Sequence, residues 1–429
     1  MYAHAGIVLG VMVAVFAVAR VFKITTELSM LAAAIGGAIA HGAWIPARHI
    51  ADGAFTYFDV TLIFITATFF MNLLKHAGGV NYIIRGIIRR FHRHRALALL
   101  FLALVLLVPG ALTGAGSVTV LVVGALVATV LTYMGISKDR VAAIIFLCAA
   151  MSAAAPPINL WAMMTAAGSN MPYVGFFVPL GVVAVLGALF SMFYLGWKGT
   201  PADLDKIMSE LPQPTEGMKG WKVASPFVVL LGLILASRLW PWSMPTLGLP
   251  LMFTTAAVLT ILISPKRLPI FKIARETVEG LLPLIGVMVV VGILVQIMAL
   301  SGARGLISLG VVTLPLPIIF AALWLILPFS EGLIQYAAAP LLGVPLILLF
   351  NMKGINPIIA LSGMAVMFPI GDMLPPTTVV GRATTITVGF TGSYYGEFVK
   401  RCLVPASFIL ILGTLYIVFG NELSFLVGG

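Results

Sequence analysis

Two stretches of this chain, 219 positions apart, share their glycine and proline punctuation inside otherwise apolar sequence. Pro109 meets Pro328, Gly124 meets Gly343, and Gly135-Ile136 meets Gly354-Ile355. Pro156-Pro157 then meets Pro375-Pro376, and Thr165 meets Thr384. Glycine frees the backbone and proline interrupts it, so what the stretches share is a set of breakpoints. Breakpoints repeated inside apolar sequence predict a membrane protein built from two related halves.

Composition closes off the alternatives. Of 429 residues, 61% are hydrophobic and only 9% charged, against about 25% charged in soluble domains. Several runs reach the roughly 20 apolar residues that cross a bilayer. They do not alternate as barrel strands do. The expected fold is an all-α polytopic membrane protein with two inverted-topology repeats. Each repeat carries a re-entrant hairpin and a helix broken at Pro-Pro. A net charge of +11 belongs to short basic loops rather than to a nucleic-acid surface, since no soluble basic domain is present. Cys148 and Cys402 sit in apolar surroundings and make neither a disulfide framework nor a metal site. The start, MYAHAGIVLG, reads as a retained helix rather than a signal peptide.

Crossings are expected near residues 4–22, 27–45 and 57–75, with a loop around Pro46, Arg48 and Asp52. Residues 78–95 place Ile83, Ile84, Ile87, Ile88 and Phe91 on one helical face and arginines on the other. That is an interfacial amphipathic helix on an anionic surface. Residues 96–108 form an apolar arm too short to span, followed by the tip PGALTGAGS and a second arm to about 133. A broken crossing over 139–170 and a full one over 173–197 complete the first repeat, residues 1–197. Residues 198–222 form a basic linker. The second repeat, 223–429, holds crossings near 224–241, 247–264 and 277–296, and an amphipathic segment with Arg304. A hairpin over 314–350, a broken crossing over 357–389 and a last crossing over 398–419 follow.

The basic segments at 78–95, 198–222, 264–275 and 400–401 all fall on one side if the second repeat is inverted, and the positive-inside rule makes that side cytoplasmic. Both termini are then extracytoplasmic and the chain is a multi-pass protein of the cell (inner) membrane.

Two tips and two breaks related by inversion should meet near the bilayer midplane. Half-helix N-termini there favour an anion, and free carbonyls favour Na⁺. Substrate-binding candidates are Thr113, Gly114, Gly116, Ser117, Asn159, Ser330, Thr377, Thr378 and Arg382. Cation-binding candidates are Thr119, Ser152, Pro156, Glu331, Gly332, Gly371, Asp372 and Pro375. Acidic groups in membrane segments are rare and functional by default. Asp372 reads as a cation ligand, a proton carrier or a helix-end cap, and Glu331 as a ligand, a gate or a solvated tip residue. Arg382 reads either as a carboxylate fork or as a side chain snorkelling to the interface. The coupling ion is Na⁺ or H⁺, with no organic cofactor. The chain lacks GxxxxGK[ST] and HExxH, and GAGS has no preceding strand, so neither ATP hydrolysis nor an enzyme is expected.

The runs GALTGAGS, MGISKDRVAAIIFLCAAMSAAAPPIN and GINPIIALSGMAVMFPIGDMLPPTTV resemble the large membrane subunit of tripartite ATP-independent periplasmic (TRAP) transporters. TFFMNLLKHAGGVNYIIRGIIRR resembles the stretch before that family's first hairpin. The resemblance implies Na⁺-coupled uptake of an organic acid such as a C4-dicarboxylate by an elevator mechanism. It implies two partners, a small four-helix membrane subunit and an extracytoplasmic solute-binding protein. The breaks depart from the family: APPIN stands for IPPS and LPPTT for TPPVG, while Asp372 and Arg382 lie outside its pattern. A stand-alone carrier, as a homodimer, and a cation/proton antiporter without organic substrate are the other readings.

Overall fold

The computed structural model describes residues 2–199, 204–240, 242–243, 245 and 247–427. Residues 200–203 of the expected linker lie outside them. Every regular element among the described residues is helical. Nine helical stretches there are long and apolar enough to cross a membrane.

The first half opens with α1 (Tyr2–Val21), α2 (Thr26–His41), α3 (Ala47–Phe55), α4 (Phe58–Ala77) and α5 (Gly79–Phe91). The first hairpin follows: α6 (Arg95–Thr113), a single turn (Gly116–Thr119), a π-helical turn (Val120–Gly124) and α7 (Ala125–Tyr133). The broken helix is α8 (Lys138–Ala154) and α9 (Leu160–Gly168), and α10 (Phe177–Gly196) ends the half. A short linker helix, α11 (Leu204–Glu210), leads to α12 (Gly220–Leu239), α13 (Leu249–Ile263), α14 (Ile270–Leu300) and α15 (Ala303–Val312). The second hairpin is α16 (Leu316–Ile334), a 3₁₀ turn (Gln335–Ala337), a π-helical turn (Ala339–Gly343) and α17 (Val344–Met352). Then come α18 (Pro357–Met367), a 3₁₀ turn (Phe368–Met373), α19 (Val379–Val388), a π-helical turn (Tyr394–Val399) and α20 (Lys400–Val418).

The 219 offset recurs in the elements themselves. It carries the π turn Val120–Gly124 onto Ala339–Gly343 and α7 onto α17. It carries α8 onto α18 with its 3₁₀ turn, and α9 onto α19 less one residue. Both Pro156-Pro157 and Pro375-Pro376 are cis.

Two packing groups position the site. In one, α1 and α2 pack together, α14 lies against α2, α3 and α4, and α13 lies against α4 and α12. In the other, α8 packs on α6 and α10, and α18 on α20. The groups touch where α4 and α5 meet α6 and where α15 meets α17. Close packing holds both: every residue of α8 from Val141 to Ala154 is buried, and between membrane helices such van der Waals contact, rather than exclusion of water, favours association.

Three segments differ from the sequence expectation. Residues 47–55, read as a loop from Pro46 and Asp52, form α3. Its Gly53 lies against the backbone of Gly292 and Ile293 on α14, a close approach that a bare Cα permits. The first arm of hairpin one runs 19 residues, not 13, because the helix continues through Pro109. Proline there removes a single amide donor, while Leu99, Leu102, Leu106 and Leu112 stay buried along the helix. The basic segment near 264–275 is partly helical: α14 starts at Ile270 and pairs Arg275 with Glu279 at 2.6 Å.

Candidate functional site

The first tip and break lock onto each other through backbone. Thr113 ends α6 and donates its hydroxyl to the Pro109 carbonyl, 2.7 Å away on its own helix. Gly114 takes the left-handed conformation (φ +71°) that terminates the arm. Ile158, within the break, donates its amide to Ala111 of the arm at 3.0 Å. Gly110 packs against Ser152, and Gly116 against the Ala149 carbonyl. Thr119 and Ser152 share a buried hydroxyl hydrogen bond of 2.7 Å. Asn159 caps α9: its Oδ1 accepts from the Ala162 amide and its Nδ2 donates to the Ala154 carbonyl. Both ends of that amide are therefore occupied. Ser117 is half-buried at the tip, and Pro156 and Pro157 line a cavity of about 200 Å³ against α12 and α13.

The second tip and break use the same plan. Thr377 donates both its amide (3.2 Å) and its hydroxyl (2.8 Å) to the Gly332 carbonyl. Gly371 fits against the Pro328 carbonyl and the Glu331 side chain, and Gly332 fits against Leu374. Ser330 closes on the Leu327 carbonyl. Thr378 stands before α19 with φ +44°, and Gln335 follows α16 with φ +53°. Positive φ in a β-branched residue is strained, and such residues cluster at functional sites. Arg382 donates its Nε–H to the Thr378 hydroxyl at 2.9 Å, with its guanidinium 5.6 Å from the Tyr394 ring centre. Pro375 and Pro376 are exposed.

Charge enters through two carboxylates. Glu331 is fully buried and Asp372 is 7% exposed. Glu331 Oε2 accepts the indole N–H of Trp161 at 2.8 Å, whereas Oε1 is buried with no hydrogen-bond partner among the described residues. Trp161 belongs to the first half, in the first turn of α9, and its ring lies 5.0 Å from that of Tyr336. Asp372 sits within Coulomb range of both Glu331 and Tyr336. Further contacts join the halves. Thr165 donates to the Ala339 carbonyl at 3.1 Å and touches Gly343, while Gly124 faces Thr387. Each π turn thus packs on the post-break helix of the other half.

Trp161 and Tyr336 are the site residues that sequence reasoning missed. Their signal is spatial: Trp161 meets a carboxylate 170 positions away. The available hint was that Trp161 directly follows the first break, next to residues already singled out.

The fold is shared with solved membrane transporters. The YdaH transporter of Alcanivorax borkumensis, described as having an unusual topology, matches over 90% of each chain at 13% identity with a TM-score of 0.60. Neisseria gonorrhoeae MtrF, described as illuminating a class of antimetabolite efflux pumps, matches over 86% of this chain and 83% of its own. Its identity is 14% and its TM-score 0.56. No protein-family model and no curated protein sequence matches the chain. At these identities the likeness is one of fold.

Proposed function

We infer that this chain is a secondary active transporter moving a small organic anion through a multi-pass membrane body, driven by H⁺ or Na⁺ held at Glu331 and Asp372. The single observation that carries this reading is the buried Glu331 carboxylate, with one oxygen on Trp161 and the other unpartnered. A buried carboxylate with one neutral donor is costly unless a proton or a cation joins it. The free Oε1 is the seat for that ion. It lies where the tip of one half meets the post-break helix of the other, so ion occupancy and the fit between halves depend on each other.

The inverted arrangement of residues 1–197 and 223–429 about the linker belongs to this reading, with both termini extracytoplasmic. Its support is the shared offset and the reciprocal packing of π turns on post-break helices. Opposed repeats converging on a midplane site suit alternating exposure by movement of the hairpin-bearing group against the rest. The TRAP resemblance favours Na⁺-driven uptake of a carboxylate such as a C4-dicarboxylate, with a small subunit and a binding protein as partners. The fold shared with MtrF, described among efflux pumps, favours export.

Purified chain in liposomes decides among these. With labelled succinate as probe, a Na⁺ or pH gradient should drive accumulation or extrusion, and Glu331→Gln should abolish it. Flux unaffected by Asp372→Asn together with Thr113→Val and Thr378→Val contradicts the site. Ion flux indifferent to any organic anion makes the chain a cation/proton antiporter.

A further inference from the structure

Two apolar crevices separate the hairpins from the packing group that includes α1–α5 and α12–α15. The first, about 520 Å³, lies between α4, α5, α6 and α12 and is walled by Leu74, Ile87, Phe101, Val105, Val108 and Leu231. The second, about 380 Å³, lies at the other hairpin, walled by Met12, Phe16, Met298, Phe329 and Leu333 among others. Aliphatic and aromatic side chains dominate both.

They differ at the rim. The first shares Ile83, Ile87, Phe101 and Phe227 with an adjoining shelf lined also by Tyr82 and Arg90. Arg89 and Arg90 are exposed on α5 and have no acidic partner among the described residues. Arg85, one turn earlier, is engaged by the Leu211 carbonyl at 2.6 Å. Lys219 and Lys222 flank the start of α12, whose Gly220 lines the same shelf. Among the described residues, no cation lines the second crevice.

We propose that the first crevice is a binding site for an anionic phospholipid. One acyl chain lies along Val105, Val108 and Leu231, and the headgroup phosphate lies on Arg90. An apolar slot continuous with an unpaired guanidinium shelf matches the two ends of such a lipid and nothing purely polar. Guanidinium recognises phosphate through paired N–H donors, and basic residues on amphipathic helices recruit anionic lipid. The second crevice accepts acyl chains without choosing a headgroup. The lipid fills a seam between the two packing groups, so its departure or rearrangement accompanies any movement of hairpin one past α4 and α5.

The test uses the full chain with phosphatidylglycerol or phosphatidylcholine carrying a photoreactive acyl chain. Phosphatidylglycerol should label residues 101–108 and 227–231 several-fold more than phosphatidylcholine, while residues 329–333 label equally with both. Arg90→Gln should bring the first crevice to equal labelling. Val108→Trp should reduce labelling by both lipids there. Equal labelling in the unaltered protein, or the same preference at 329–333, overturns the site. So does a preference that survives the arginine change, or one that excess soluble glycerol phosphate abolishes.

Discussion

At the first hairpin Thr113 and Thr119 are closed on their own half. At the second, one carboxylate, Glu331, accepts a hydrogen bond from the other half. The backbone plan is common to both: an arm ended by a left-handed residue or turn, a π turn, and a cis Pro-Pro break tied to the tip by an amide. The chemistry is not common. At the shared offset Leu112 corresponds to Glu331 and Ala153 to Asp372, so the first half buries apolar side chains where the second buries acids. Trp161 corresponds to Val380, which gives the indole donor no counterpart either. On the function proposed above, one frame serves as a structural half in the first case and an ion-carrying half in the second.

The largest break in this comparison is Glu331→Gln, which should abolish ion-driven flux in liposomes, while Ser152→Ala in the structural half retains it. Next come the close-approach glycines. Gly110→Ala and Gly371→Ala each place a methyl against the facing segment, and overpacking of this kind costs about 1–3 kcal/mol. Thermal unfolding in detergent should fall for both, and ion dependence should change only for Gly371→Ala. Trp161→Phe removes the donor to a buried carboxylate, worth about 1.5–3 kcal/mol. It should shift the ion dependence of flux more than it lowers stability. Asn159→Ala removes a helix cap worth about 1 kcal/mol and should lower stability while leaving ion dependence alone. The smallest effect is Gln335→Gly. Relief of a positive φ should stabilise the chain by about 1 kcal/mol, read in the same unfolding assay.

Much of the frame was legible because Gly and Pro act locally. The Pro-Pro pairs mark the breaks in sequence, and the repeated Gly124/Gly343 fall at the ends of the π turns that the structure shows. Where tertiary packing overrode local preference, the reading slipped. Pro46 and Asp52 suggested a loop, but contact between Gly53 and α14 holds a helix there. Pro109 suggested an end to the arm, yet burial carries the helix one turn further. The carboxylates were visible as charges in apolar sequence. Their partner was not, because Trp161 Nε1 and Glu331 Oε2 belong to different halves and no local pattern links them. Asn159 is a substrate-binding candidate in sequence, while in the structure its amide spans the break it belongs to.

The central claim is that the second-half carboxylate, not the first-half hydroxyls, holds the coupling ion. Infrared difference spectra of the purified chain on a step of pH or Na⁺ test it without knowledge of the substrate. A carboxyl band should change on the step, vanish in Glu331→Gln and persist in Ser152→Ala and Thr119→Val. A band unaffected by Glu331→Gln would place the ion elsewhere and contradict the account.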